Sequence, residues 1–381
     1  MKIVFVGLGG VPFSKRAIDV RERAFAELFI SLGYTVEIAN RFSNVKNNEE
    51  KAPYEIYEPF KHVITTSKLG YLFYYVISLL WEPFHLLLSH KRSRIDVLFV
   101  NSGHFVDMLV YKIICLLTGA RFLYQYCEDR ASMAGTSLYH KANGYLIGQY
   151  APQLWNGAVC ISHYLENKCL EKKKDLKTIL VYPICDFAAI EPLGRCPTLS
   201  DDYILFCGYL GYMEIIRFII DSYHQSSLRS RYKLVMVLGG DKGTFSRMKS
   251  QHTDIHFLRD LPYDELIGLF RNAKALLIPL RNNIRDIARY PNKICEYSAA
   301  SGLIVTTNNG EIPYTFHDGV NALVAKEYSI SSYASKLNEV ASIDNAAVIK
   351  QNCYETGKAH FSISSYREKM EEYISDLVSK K

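Results

Sequence analysis

The chain is patterned by short apolar runs rich in Val, Ile and Phe, separated by stretches whose apolar residues recur at helical spacing. In the first half the runs are Lys2 to Val6, Val36 to Ala39, Asp96 to Val100, Arg121 to Cys127, Ala158 to Ser162 and Ile179 to Tyr182. Each has the length of a strand and is largely apolar along it, as a strand covered on both faces must be. Between two of them Ala24, Leu28 and Leu32 share a helical face, and Gly33 stands where a left-handed residue ends a helix. Strands alternating with helices predict a parallel sheet.

The pattern breaks at residues 191–202 (EPLGRCPTLSDD), where proline, glycine and small polar residues gather with little apolar content. It restarts with Tyr203 to Cys207, Lys233 to Leu238, Ile255 to Leu258, Ala275 to Leu280, Leu303 to Thr307 and Ala322 to Ala325. After Ser329 only helical signals remain, ending in Ser364 to Val378 with Tyr366, Met370, Tyr373 and Ile374 on one face. The expected organisation is an N-terminal domain over 1–190, a linker over 191–202, a second doubly wound domain over 203–345, and helices over 346–381 that pack back toward the first domain. A chain of 381 residues at 49% hydrophobic content exceeds one ordinary core, which agrees with two domains.

Charge and cysteine usage narrow the setting. Nine cysteines carry no C-x-x-C spacing, and Cys160 with His163 makes two ligands, too few for a metal site, so reduced thiols are expected. The run from Lys2 to Gly7 follows Met1 directly, without a charged segment and apolar stretch before it, so a cytoplasmic protein is expected. Leu69 to Leu88 is nearly long enough to cross a bilayer but is interrupted by Glu82, Pro83 and His85. It reads as a buried or interfacial helix bent at Pro83, with Tyr71, Tyr74, Tyr75 and Trp81 suited to a membrane interface. Residues 1–190 carry 22 Lys and Arg against 17 Asp and Glu, whereas the rest carries 23 against 22. Basic clusters at Lys91, Arg92, Arg94 and at Lys172, Lys173, Lys174, Lys177 suit either an anionic lipid surface or solvated helix ends. A net charge of +6 is modest and no nucleic-acid reader motif is present, so no nucleic-acid partner is expected.

Candidate chemistry sits where strands end. Gly7 to Pro12 (GLGGVP) resembles a dinucleotide loop with proline in place of its last glycine, so Gly9 and Gly10 are candidates for a phosphate or sugar hydroxyl, or simply a tight turn. The second strand runs into Asn40 and Arg41 rather than the acidic residue that a nicotinamide ribose requires, which argues against a dehydrogenase. Glu128 and Asp129 follow the fourth run and are candidate catalytic carboxylates, with a salt bridge to Arg130 as the alternative. The block Ala275 to Gly310 combines a strand, a loop with Arg281, Arg285 and Arg289, a helix opened near Pro291, then Gly302 and another strand. Lys293 and Glu296 share one helical face there, and basic groups beside a helix start suit a diphosphate, while Glu296 suits a ribose diol.

Several of these segments in register resemble the C-terminal domain of the retaining GT-B glycosyltransferases of family 4. The segments are Tyr203 to Gly208 (YILFCG), Lys233 to Gly240, His256 to Phe270 (HFLRDLPYDELIGLF), Ile278-Pro279, and Pro291 to Gly302 (PNKICEYSAASG) followed by Leu303-Ile304-Val305. The resemblance implies an α/β chain of two doubly wound Rossmann-like domains facing a central cleft. It implies a nucleotide-diphosphate sugar as donor substrate, no cofactor, no metal, and transfer with retention. By it Glu296 matches the second glutamate of the family's E-x7-E motif, while the first falls on Ala288 and leaves Asp286 as the nearest carboxylate. The donor is then expected to meet Gly208, Asp260, Leu261, Arg285, Asp286, Arg289, Asn292, Lys293 and Glu296, with Gly9 and Gly10 across from them. After Gly208 the family's basic residue and Lys-Gly are replaced by Tyr209 to Glu214 (YLGYME), which transfers the diphosphate's positive partners to Arg285, Arg289 or Lys293. The expected acceptor is a saccharide or lipid-linked saccharide of surface polysaccharide assembly, with peripheral membrane contact through the basic N-terminal half. A GT-B protein that binds without catalysis, and a nucleotide-sugar epimerase, are the alternatives.

Overall fold

The structure is a computed structural model that describes residues 1–8, 17–41, 52–57, 68–133, 137–193, 199 and 202–379. Its contacts divide into two compact units, Met1–Tyr182 with Ile363–Lys381, and Pro183–Ser362.

The first unit follows the predicted alternation: β1 (Lys2–Leu8), α1 (Ala17–Ser31), β2 (Thr35–Asn40), β3 (Glu55–Tyr57), α2 (Lys68–Arg92), β4 (Val97–Val100), α3 (Phe105–Thr118), β5 (Arg121–Tyr126), α4 (Leu138–Leu154), β6 (Gly157–Cys160), α5 (His163–Lys172) and β7 (Lys177–Leu180). The strands lie in the order β3-β2-β1-β4-β5-β6-β7, and all pair in parallel. All six predicted runs are strands. The seventh, β3, was not predicted, because three residues of which only Ile56 is aliphatic carry no period.

Burial explains the strand pattern. Phe5, Phe25, Phe29 and Phe99 are fully buried in mutual ring contact, each contributing roughly 1.5–3 kcal/mol by leaving water. Trp155 stacks on Tyr124 at 4.3 Å between ring centroids. Gly33 takes φ 79° after α1, where a side chain would be strained. Gly7, at φ 80°, is required for a second reason: a Cβ there would stand 2.6 Å from the Asn101 carbonyl oxygen.

The second unit contains α6 (Phe187–Ile190), β8 (Tyr203–Tyr209), α7 (Met213–Gln225), β9 (Lys233–Gly239), α8 (Lys242–Gln251), β10 (His256–Leu258), α9 (Tyr263–Asn272), β11 (Ala275–Leu277), α10 (Ile284–Ile287), α11 (Lys293–Ala299), β12 (Ile304–Thr307), α12 (Ile312–Thr315), β13 (Leu323–Ala325), α13 (Ile330–Glu339) and α14 (Ala346–Phe361). Its sheet, β10-β9-β8-β11-β12-β13, is again parallel throughout. The last helix, α15 (Arg367–Ser379), belongs to the first unit.

The units part at Tyr182 and Pro183, ahead of the composition break at 191–202, of which 194–198 and 200–201 lie outside the described residues. Two buried hydrogen bonds settle where the first unit ends: Arg21 donates to the carbonyls of Val181 and Tyr182, each at 2.7 Å. The chain returns through Tyr366, whose hydroxyl accepts from the Tyr182 amide at 3.1 Å, and Tyr373, which donates to the Lys177 carbonyl at 3.0 Å. Helix α14 stays with the second unit because Gly357 lets it approach Ser298 of α11, where a Cβ would come within 2.3 Å.

One buried group makes stability depend on pH. Glu22 on α1 is fully buried; its Oε1 accepts from Asn101 at 2.5 Å and its Oε2 has no partner. Burial pushes its carboxyl up from 4.5 to about 8. A carboxyl raised on folding holds a proton that the unfolded chain has lost, so stability falls as pH rises from 4.5 toward 8. Glu22→Gln, which imitates the protonated form, is expected to be nearly neutral at pH 5 and to melt above the wild type at pH 8. Parallel melting curves across that range check this.

Candidate functional site

In a parallel sheet the loops after the strands collect at one edge, and in the second unit that edge carries most of the predicted donor residues. The segment after β11 is tied down first. The Leu280 amide donates to Thr307 Oγ1 at 2.8 Å, and Thr307 and Asn309 both donate to the Leu280 carbonyl. From there the loop closes around Asp286, whose side chain is completely buried. Its Oδ2 accepts from the Arg281 amide at 3.0 Å and Nε at 2.7 Å; its Oδ1 accepts from Arg281 at 3.1 Å and Arg289 at 2.7 Å. Burial opposes the charged form, yet the hydrogen bonds and charges of Arg281 and Arg289 outweigh it and hold the carboxyl below its usual range.

This arrangement corrects one expectation. Asp286 has no oxygen left for a sugar hydroxyl, and Ala288 is itself fully buried, so neither position offers a free carboxylate. Asp286 instead positions cations. Arg281 also pairs with Glu214, and Tyr212 lies under two guanidinium groups, Arg285 at 5.2 Å and Arg289 at 4.4 Å from its ring centre. The Nε atoms of Arg285 and Arg289 are buried without hydrogen-bond partners. Tyr209 to Glu214, which carries no lysine, thus supplies the surface on which the arginines rest.

Lys293 and Glu296 meet on α11 as predicted from their spacing, the ammonium donating to Glu296 Oε2. The other carboxylate oxygen accepts from Tyr263 at 3.4 Å, a neighbour that sequence spacing could not supply. Burial works against the Lys293 charge, but the Glu296 carboxylate outweighs it and lifts the lysine above its usual pKa. Helix α11 is anchored to β8 through the Cys207 amide, which donates to the Tyr297 hydroxyl at 2.9 Å, and this places Gly208 next to the helix. Asn292 precedes the helix as its N-cap residue. After β10, Asp260 adopts φ 54°, a left-handed conformation that aspartate tolerates better than most residues, and accepts from Arg259 at 2.8 Å, with Leu261 beside it.

In the first unit Gly9 and Gly10 lie outside the described residues. The two predicted catalytic carboxylates separate by environment. Asp129 is buried and engaged, accepting from Lys168 at 2.6 Å, Tyr164 at 3.3 Å and the Ala131 amide at 3.0 Å, bonds that tie its loop to α5. Glu128 is about one-third exposed and pairs with Arg130 at 3.2 Å. The Arg130 guanidinium lies against Gly103, where a Cβ would come within 2.9 Å, and the next residue is His104. His104 contacts the Tyr139 hydroxyl at 2.9 Å, and burial lowers its pKa. Sequence reading missed it, since a lone histidine after a strand carries no spacing signal. Among the described residues no three His, Cys, Asp or Glu side chains come together as a metal site.

Residues 198–358, which hold this cationic loop, match the family model described as Glycosyl transferases group 1. Over the whole chain, sucrose-phosphate synthase from Thermosynechococcus elongatus superposes with TM-score 0.79 at 13% identity, covering 100% of both chains. A glycosyltransferase from Rickettsia africae gives TM-score 0.70 at 15% identity, covering 100% of this chain and 99% of the other. The Anabaena protein HepE in complex with UDP-glucose gives TM-score 0.67 at 13% identity, covering 99% and 100%. The fold is GT-B. No curated protein matches the chain. Within that fold the second unit holds the segment that matches the group 1 model, and the first is built on a seven-stranded parallel sheet.

Because Asp286 is the buried anchor of this GT-B loop, its removal strands two arginines. Asp286→Ala is expected to cost about 3–5 kcal/mol of stability, the usual loss when one member of a buried ion pair is removed. Urea unfolding of the wild type and variant measures it.

Proposed function

We propose that the protein transfers a sugar from a nucleotide-diphosphate donor bound by its second unit to a saccharide or lipid-linked saccharide. The observation that carries this reading is the set of cations on the stretch from α10 into α11: Arg285 and Arg289 braced on Tyr212, and Lys293 beside Glu296, all inside the matched family segment. Positive groups fixed before the reaction stabilise the charge that develops on a departing diphosphate without reorganising. Glu296 then holds the ribose diol, with Tyr263 and Lys293 orienting its two oxygens. The loop of Asp260 and Leu261 faces the base. HepE is described with UDP-glucose, and the Escherichia coli trehalose-6-phosphate structure with UDP-2-fluoro glucose, which supports a uridine nucleotide as the first donor to try.

Retention of configuration and independence of metal belong to the same proposal. The acceptor falls to the ligand edge of the first unit, where Glu128, Arg130 and His104 adjoin, and surface polysaccharide assembly in the cytoplasm is the setting. A nonenzymatic binding protein is the second reading, favoured by the absence of a free carboxylate at Ala288 or Asp286.

Titration with nucleoside diphosphates and their sugars is expected to raise the melting temperature of the wild type. Ligand at a hundredfold excess over its dissociation constant adds about 2.7 kcal/mol to the folded state. Glu296→Ala, which keeps the arginines, should weaken nucleotide binding roughly tenfold, as the loss of a hydrogen bond to a charged group does. Sugar transfer unchanged in excess EDTA, and NMR of the product anomer, test the metal and stereochemical parts. Stabilisation by a nucleotide sugar without transfer to any acceptor would favour the binding protein, and conversion of the donor alone would favour the epimerase.

A further inference from the structure

Helix α2 is packed the wrong way round for a helix of a water-soluble layer. Its polar residues face the protein: Ser78, Glu82 and Ser89 are buried, together with Leu86. Glu82 accepts from Arg41 at 2.7 Å and from Tyr111 at 2.9 Å, and Ser89 bridges Lys2 and Glu37 at 2.8 and 2.6 Å. The opposite face is apolar and open: Leu69, Val76, Leu80 and Phe84 are exposed, Leu80 by 71%. Leu72–Arg92, 21 residues, is long and apolar enough to cross a bilayer, which reflects this outward face rather than burial in a core. A spanning orientation would strip Arg41 and Asp107 of their partners and strand buried charges, so the folded unit keeps α2 flat against its sheet.

The neighbouring helices continue the surface. Helix α3 packs on α2 and α4 packs on α3. Leu116 and Leu117 of α3 are 73% and 67% exposed. Charge on this layer has one sign. The carboxylates of α2, α3 and α4 are Glu82 and Asp107, and both are buried in the Arg41 network. Among the described side chains, the exposed charged residues of these three helices are cations, Lys91 and Arg92 at the end of α2 and Lys141 on α4. An apolar face bordered by cations, on helices whose described residues include no exposed carboxylate, complements an anionic phospholipid surface, with apolar side chains in the acyl boundary and cations at the headgroups. A protein partner of matching shape would not require the whole layer to lack exposed carboxylates.

We infer that the exposed face of α2 and α3 docks the protein, monotopically and without spanning, on an anionic lipid bilayer. The face lies wholly in the first unit and does not depend on the donor-site reading.

The test uses the full chain and vesicles of a zwitterionic phospholipid with and without an anionic one, no sugar or acceptor present. Flotation is expected to carry the wild type with the anionic vesicles and much less with the zwitterionic ones, and salt should weaken the association. Trp81 is half-exposed and Trp155, the other tryptophan, is fully buried, so a blue shift of fluorescence on binding, lost in Trp81→Phe, reports insertion of α2. Leu80→Asp with Leu116→Asp should reduce binding at least tenfold, and Lys91→Gln with Arg92→Gln roughly thirtyfold, at about fivefold per cation lost. Melting curves and nucleotide stabilisation unchanged in these variants show that folding and the donor site are intact. Failure of the wild type to bind anionic vesicles overturns the inference. So does binding that the variants leave unaltered, or a wild-type dimer in solution that the leucine substitutions dissociate, which would make the face an interface between copies.

Discussion

A carboxylate shut away from water has to be met by positive charge and hydrogen bonds, and both units are organised around carboxylates so placed. In the second, Asp286 gathers Arg281 and Arg289 and the Arg281 amide, and the loop after β11 takes its shape from that closure. In the first, Arg41 is clasped between Glu82 and Asp107, which holds α2 and α3 against the end of β2. Removal of either set would leave buried charge unpaired, at a cost comparable with a large share of a domain's net stability. These networks therefore fix the surfaces they support: a fan of cations in one unit, an outward apolar face in the other.

The cations of the second unit show how local chemistry can be relocated within a fold. Tyr209 to Glu214 offers aromatic rings and a carboxylate where a lysine would be expected, and the positive charge comes instead from the far side of the loop. Tyr212 is the adaptor, since its ring accepts two guanidinium groups that would otherwise repel. Glu214 in the same segment pairs with Arg281. The result sets Arg285 and Arg289 on the segment that leads into α11, and Lys293 with Glu296 on that helix's first turn.

Much of the fold was legible in the chain because a strand in a parallel sheet is covered on both faces and therefore reads as an uninterrupted apolar run. The strands from β8 to β13 were readable for this reason, whereas Glu55–Tyr57 was not, being too short to show a period. The site was less legible. Lys293 and Glu296 announce themselves through helical spacing, but Asp286 looks as available as Glu296 until burial separates them. Asp129 and Glu128 are adjacent in sequence and opposite in environment, because one turns toward Lys168 and the other toward Arg130. The outward face of α2 was concealed by its own polar residues: Glu82 and His85 read as interruptions of an apolar stretch, when they are the side that the protein buries or pairs.

On the proposed function, the loop anchored by Asp286, with α11 after it, receives the diphosphate of a nucleotide donor. Hydrogen–deuterium exchange of the full chain, with and without a saturating nucleoside diphosphate, tests this residue by residue. Added protection is expected over residues 281–296 and around 259–263, with the sheet interiors unchanged. Binding that protects neither segment, or protects only the first unit, would contradict it.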